Sequence, residues 1–159
     1  MSEISVVSKS KIEEKIKELQ DLHPIKINCP EEIEEILNLN RYQLKTTATD
    51  DLYINAIKLA QYSLYIKRDI NKAKAVLSWC EANINSIIGR ELNNTNGYGL
   101  GEKSLIIKRS DNVAKEIEAV RINFAVKLNQ LEDTDRKIEF ISNAIKNLAA
   151  ERRYSTNER

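Results

Sequence analysis

The chain has 159 residues, of which 31% are charged and 42% hydrophobic, with only four glycines and two prolines. That composition excludes a disordered chain and fits a single helical-bundle or coiled-coil domain. No apolar run approaches the roughly 20 residues of a membrane span. Met1-Ser2-Glu3-Ile4-Ser5 has neither the basic start nor the apolar block of a secretory signal, so a cytoplasmic protein with no membrane partner is expected.

The net charge of +1 conceals a polarity. Residues 1–40 hold five Lys/Arg against nine Asp/Glu, residues 41–110 eleven against six, and residues 111–159 nine against nine. An acidic head followed by a basic arm points either to an anionic partner or to a chain that pairs with itself.

In chain order, Ile12, Ile16, Leu19 and Leu22 share one face of a helix over 11–22, with Ser10 as N-cap. It stops at His23-Pro24, because proline disfavours helical geometry in the residue before it. Ile25-Lys26-Ile27-Asn28 alternates but is too short to assign. Pro30 opens a second short helix to Asn38, and Glu31, Glu32, Glu34 and Glu35 complement the positive end of its dipole. Residues 1–40 thus read as an acidic segment of two short helices, and residues 41–50 as a linker whose Thr49 or Asp50 caps the next helix.

Two long heptad stripes follow. The first is Leu52, Ala56, Leu59, Ser63, Ile66, Ile70, Ala73, Leu77, Cys80, Ile84 and Ile87. The second is Val113, Ile117, Val120, Phe124, Lys127, Leu131, Thr134, Ile138, Ile141, Ile145 and Leu148. Only Ser63, Lys127 and Thr134 are polar, and a repeat this long needs a partner helix throughout. The first arm, about Asp51 to Glu91, would be about 60 Å long. Three of the four glycines lie in Asn93-Asn94-Thr95-Asn96-Gly97-Tyr98-Gly99-Leu100-Gly101, which ends it. Glu102–Arg109 is ambiguous, so the break spans 93–110; Ser110 or Asp111 caps a second arm reaching Arg153, and 154–159 form a tail.

Folding back, facing residues would have numbers summing to about 200. The expected fold is therefore all-α: a long antiparallel two-helix hairpin over 51–153 with short N-terminal helices. Tyr53, Ile57, Leu64, Val76, Trp79 and Ile88 flank the first stripe, and Ile122, Ala125, Leu128 and Phe140 the second. Two helices cannot cover these flanks, so burial is expected to continue into the N-terminal helices or other subunits, giving a homo-oligomer.

No phosphate-binding loop, nucleotide fingerprint or nucleophile triad is present. Cys29, Cys80 and His23 form no metal-ligand set, and the acidic pairs read as caps or solvated faces. No catalytic residue, metal or cofactor is expected. The basic residues are the candidates: Lys67, Arg68, Lys72 and Lys74 on the first arm, and Arg90, Lys103, Lys108 and Arg109 around Tyr98 at the break. Cations that track phosphates beside an aromatic face that stacks on a base suit single-stranded nucleic acid. The competing reading makes Lys67–Lys74 a coiled-coil flank in intersubunit ion pairs with the acidic N-terminal region, and the break a polar turn.

A short acidic N-terminal part, a long arm, a Gly/aromatic break and a second arm together resemble the UvsY family of phage recombination mediators. The resemblance rests on Tyr98-Gly99, Glu102-Lys103-Ser104, Asp111-Asn112-Val113, and Ala144-Ile145-Lys146 through Arg152-Arg153, and covers about residues 50 to 153. It implies a non-catalytic, ring-like homo-oligomer in the host cytoplasm that binds single-stranded DNA. Such a protein helps load a recombinase onto strands covered by a single-strand-binding protein in recombination and repair. By that resemblance DNA binding falls on Arg90, with Lys103, Lys108 and Arg109 as neighbours, and the acidic N-terminal segment engages the recombinase or binding protein. Asn93-Asn94-Thr95-Asn96 departs from the family, where basic and aromatic residues stand. The alternative is a structural or scaffolding coiled-coil protein of phage assembly.

Overall fold

The computed structural model describes residues 2–21 and 29–157, and every regular element among them is helical. These are α1 (Ser2–Asp21), α2 (Glu31–Leu37), α3 (Arg41–Thr46), α4 (Thr49–Glu91), a 3-10 turn (Leu92–Asn94), α5 (Leu100–Ser110) and α6 (Asn112–Asn157). Ser10 lies inside α1 rather than capping it: no glycine or proline interrupts residues 2–21, so the helix starts earlier. His23 and the alternating residues 25–28 lie outside the described residues.

Pro30 stands at the N-cap of α2, where its carbonyl accepts from the Ile33 and Glu34 N–H groups at 2.9 and 3.1 Å. The segment read as a linker contains α3. Its start is a reciprocal amide box in which Asn40 Oδ1 accepts from the Gln43 N–H and Gln43 Oε1 from the Asn40 N–H, both at 2.9 Å. Thr49 is the first residue of α4, and the Ala48 carbonyl accepts its first bond, from Leu52 N–H at 3.0 Å. At the other arm, Asp111 Oδ1 accepts from the Ala114 N–H at 2.8 Å, the expected cap.

The chain divides into two compact units, one of Met1–Lys26 with Lys72–Leu128, the other of Ile27–Asn71 with Asn129–Arg159. The first unit is built from α1, the C-terminal part of α4, α5 and the N-terminal part of α6. Its core joins Ile16 and Leu19 of α1 to Ala73, Cys80, Ile84 and Ile87 of α4, Ile107 of α5, and Ile117, Val120 and Phe124 of α6. Val76, Trp79, Ile88 and Leu128, which flank the stripes, are half-buried against this core. The amphipathic face of α1 thus meets part of the apolar surplus that two helices leave uncovered.

In the second unit α4 packs against α6 with opposite chain directions. Ser63 Oγ donates to Asp135 Oδ1 at 2.5 Å, and Ser142 Oγ to the Ala56 carbonyl at 2.9 Å. Both pairs have numbers summing to 198, close to the expected register. The face α6 presents differs from the expected one. Asp135, Ser142 and Ala149 are buried, whereas Thr134, Ile141 and Leu148 are half-buried.

The reason is a second set of neighbours. Ile141 and Leu148 line an apolar cleft with Ile36, Leu37, Leu39 and Leu44, so the larger side chains serve α2 and α3 while smaller or polar ones meet α4. At the end of the seam the Arg152 guanidinium donates to the carbonyls of Thr47, Leu44 and Lys45 at 2.7, 2.6 and 3.1 Å, satisfying the open C-terminus of α3. Lys58 pairs with Glu32 and ties α2 to α4.

Ile117 is fully buried and Ile122, on the same helix, is 51% exposed. Ile117→Ala is expected to cost about 2–5 kcal/mol in urea unfolding, whereas Ile122→Ala stays within about 0.5 kcal/mol of the parent.

Candidate nucleic-acid interface

The candidate cations do not share one setting. Lys67 and Arg68 belong to the second unit, and Lys72, Lys74, Arg90, Lys103, Lys108 and Arg109, with Tyr98, to the first. Lys67 pairs with Glu139 and lies 3.9 Å from Asp135 Oδ2. Its hydrogen bond to Glu139 holds the ammonium pKa above its ordinary value, outweighing the opposing effect of desolvation. Lys67 is therefore engaged with α6 of its own chain, and not with the acidic N-terminal region that the coiled-coil flank reading names. Arg68, Lys72 and Lys74 are exposed on α4.

Around the connection between α4 and α6 the short loop is held in place from both sides. Thr95 Oγ1 donates to the Glu91 carbonyl at 2.9 Å, the Tyr98 N–H to Glu102 Oε2 at 2.8 Å, and the Lys103 N–H to the Gly99 carbonyl at 3.0 Å. A Cβ on Gly97 would sit 3.0 Å from Lys103 Cγ, so glycine allows the lysine stem to lie against the loop. Lys103 Nζ reaches the Leu92 carbonyl at 3.5 Å, which directs its ammonium inward. Fixed backbone on both sides leaves the Tyr98 ring in solvent, at 105% relative exposure.

Arg90 in the last turn of α4 and Arg109 in the last turn of α5 are exposed. Lys108 is half-buried and near Glu118. Glu118 accepts two hydrogen bonds from Arg121, at 2.9 and 2.6 Å, and these, more than Lys108, hold its carboxyl below the usual range. The i,i+3 spacing of Glu118 and Arg121 accounts for their pairing, and Lys108 lies near a carboxylate that already has a partner. Beside Tyr98, Leu100 and Leu105 are 67% and 55% exposed. Arg90 and Arg109 with Tyr98 are thus the cations and ring of this connection that solvent reaches most freely.

Among the described residues no helix is long and apolar enough to cross a membrane, and no three His, Cys, Asp or Glu are grouped to hold a metal ion. Compared with protein families, curated proteins and solved structures, the chain matches none.

Burial pushes the Cys80 thiol up to about 11, offset only in part by the nearby Arg121. Cys29 is half-buried beside Tyr62, and burial raises its thiol as well. Because the thiolate is the nucleophile, a disulfide reagent at pH 8 is expected to modify Cys29 first and Cys80 only after unfolding, as mass spectrometry of the labelled peptides would read. Because burial disfavours the thiolate, Cys80 leaves the fold's stability unaffected by pH below the thiol's ordinary value of 9.0 and lowers it as pH rises from there through about 11.

Proposed function

We propose that this chain is a non-catalytic single-stranded DNA-binding protein that acts as a recombination mediator, helping to load a recombinase onto strands held by a single-strand-binding protein. The observation that carries the reading is the fully exposed Tyr98, held out by a fixed loop in the same unit as Arg90 and Arg109. An aromatic side chain with both faces open gains about 1–3 kcal/mol by stacking on an unpaired base, whatever the sequence, and guanidinium groups suit phosphate. The family resemblance adds the recombinase, the binding protein and the homo-oligomer as partners. Lys67 is left out of the interface, since Glu139 holds it, and Lys103 and Lys108 play lesser parts.

Fluorescence anisotropy with labelled oligothymidine across a salt series tests this. Binding weakens with rising salt, and the Arg90→Ala, Arg109→Ala pair lowers the slope of log affinity against log salt by roughly 0.7 for each phosphate no longer neutralised. Tyr98→Ala costs about 1–3 kcal/mol at any sequence, Tyr98→Phe is nearly silent, and Lys67→Ala changes nothing. Absence of single-strand binding at low salt, or an affinity indifferent to salt, overturns the reading. A scaffolding role is the second reading, favoured by Ile57, Leu64 and Phe140 standing exposed in the second unit; an assembly state that oligothymidine leaves unchanged would select it.

A further inference from the structure

Within the second unit α4 carries a heptad series distinct from the buried one. Asp50, Ile54, Ile57, Gln61, Leu64 and Arg68 are spaced four, three, four, three and four residues apart, and all six are exposed. The relative exposures of Ile54, Ile57 and Leu64 are 48%, 56% and 61%, high for a stripe with the spacing of a helix-packing seam. The spacing reads the same from either end. Laid antiparallel on a copy of itself, the series sets Asp50 against Arg68, Ile54 against Leu64, and Ile57 against Gln61.

We propose that a second copy of this chain docks along this outer seam of α4, antiparallel and about a two-fold axis. Charge complementarity names the occupant. A two-fold contact must be self-complementary, and this seam ends in an acid at one side and a base at the other, so each copy supplies both halves of two identical ion pairs. Among the described residues Arg68 makes no ion pair within the chain, and Asp50 pairs only with the guanidinium of Arg153, at 3.2 Å on a 62% exposed side chain. Ile57, Gln61 and Leu64 also border an open groove of about 490 Å³ whose far wall is Glu139, Ser142 and Asn143 of α6. That groove gives the incoming Ile54 and Leu64 side chains room beside the seam. The proposal deepens the self-association in the reading above and is independent of nucleic-acid binding.

Sedimentation velocity of the full chain, with circular dichroism as the folding control, tests it. The parent associates in two-fold pairs. Asp50→Arg and Arg68→Asp each replace two attractions by two repulsions and weaken pairing about tenfold or more. Mixing the two variants restores it, because one copy then carries a base at both ends of the seam and the other an acid at both ends. The doubly exchanged chain, D50R with R68D, also pairs like the parent. A monomeric parent at tens of micromolar, single variants that pair as the parent does, or a mixture that stays apart would each overturn the proposal. Loss of oligothymidine binding with pairing intact would count against the nucleic-acid reading alone.

Discussion

The buried bond between Ser63 and Asp135 fixes what the apolar stripes alone leave open. A seam of Leu, Ile and Ala repeating every heptad can be slid by one repeat with little loss of hydrophobic contact. A slide of one heptad would set Asp135 against Ala56 or Ile70, with no hydroxyl to donate to it. An unpaired polar group at such a site costs more than a made bond contributes. The observed register is the one that satisfies Asp135, with Lys67 beside it at 3.9 Å. Ser142, bonded to the Ala56 carbonyl, repeats the device two turns away; alanine at 56 lets the serine reach the backbone.

This register gives α6 two working faces in the second unit. Once Asp135, Ser142 and Ala149 turn toward α4, Ile141 and Leu148 point to α2 and α3. The two short helices then need little stability of their own. Isolated helices of seven and six residues would not persist in water, but α2 buries Ile33 and Ile36, and α3 has an amide box at its start and Arg152 at its end. Packing and capping replace the length that α2 and α3 lack.

The two long helices, the cap at Asp111 and the approximate pairing register were legible in the sequence, because heptad periodicity and glycine clustering are strong local signals. The helix in residues 41–46 was not. Its signal is the pair Asn40 and Gln43, which is short and carries no hydrophobic period. The exact face of α6 was also hidden, for a different reason. Scoring apolar residues favours Ile141 and Leu148 over Asp135 and Ser142, and only knowledge of α2 and α3 on the other side reverses that choice. Of the candidate site, Tyr98, Arg90 and Arg109 were legible as exposed residues of a polar break. The engagement of Lys67 was not, since it depends on Glu139, 72 positions away along the chain.

That engagement also explains why a charge count is a poor guide along paired helices. On a helix flank a cation faces a neighbouring helix whose own flank is charged, and the fixed register decides which acid it meets; Lys67 meets Glu139. At the connection between helices the backbone turns away and fewer side chains face one another. Glu102 spends its carboxyl on the Tyr98 N–H and Lys103 its ammonium on the Leu92 carbonyl, so the polar groups nearest the loop hold its shape. The exposed Arg90 and Arg109 stand just outside that set. The positive arm is thus divided by geometry: flank cations that meet an acid link the helices, as Lys67 does, whereas Arg90 and Arg109 at the turn stand exposed.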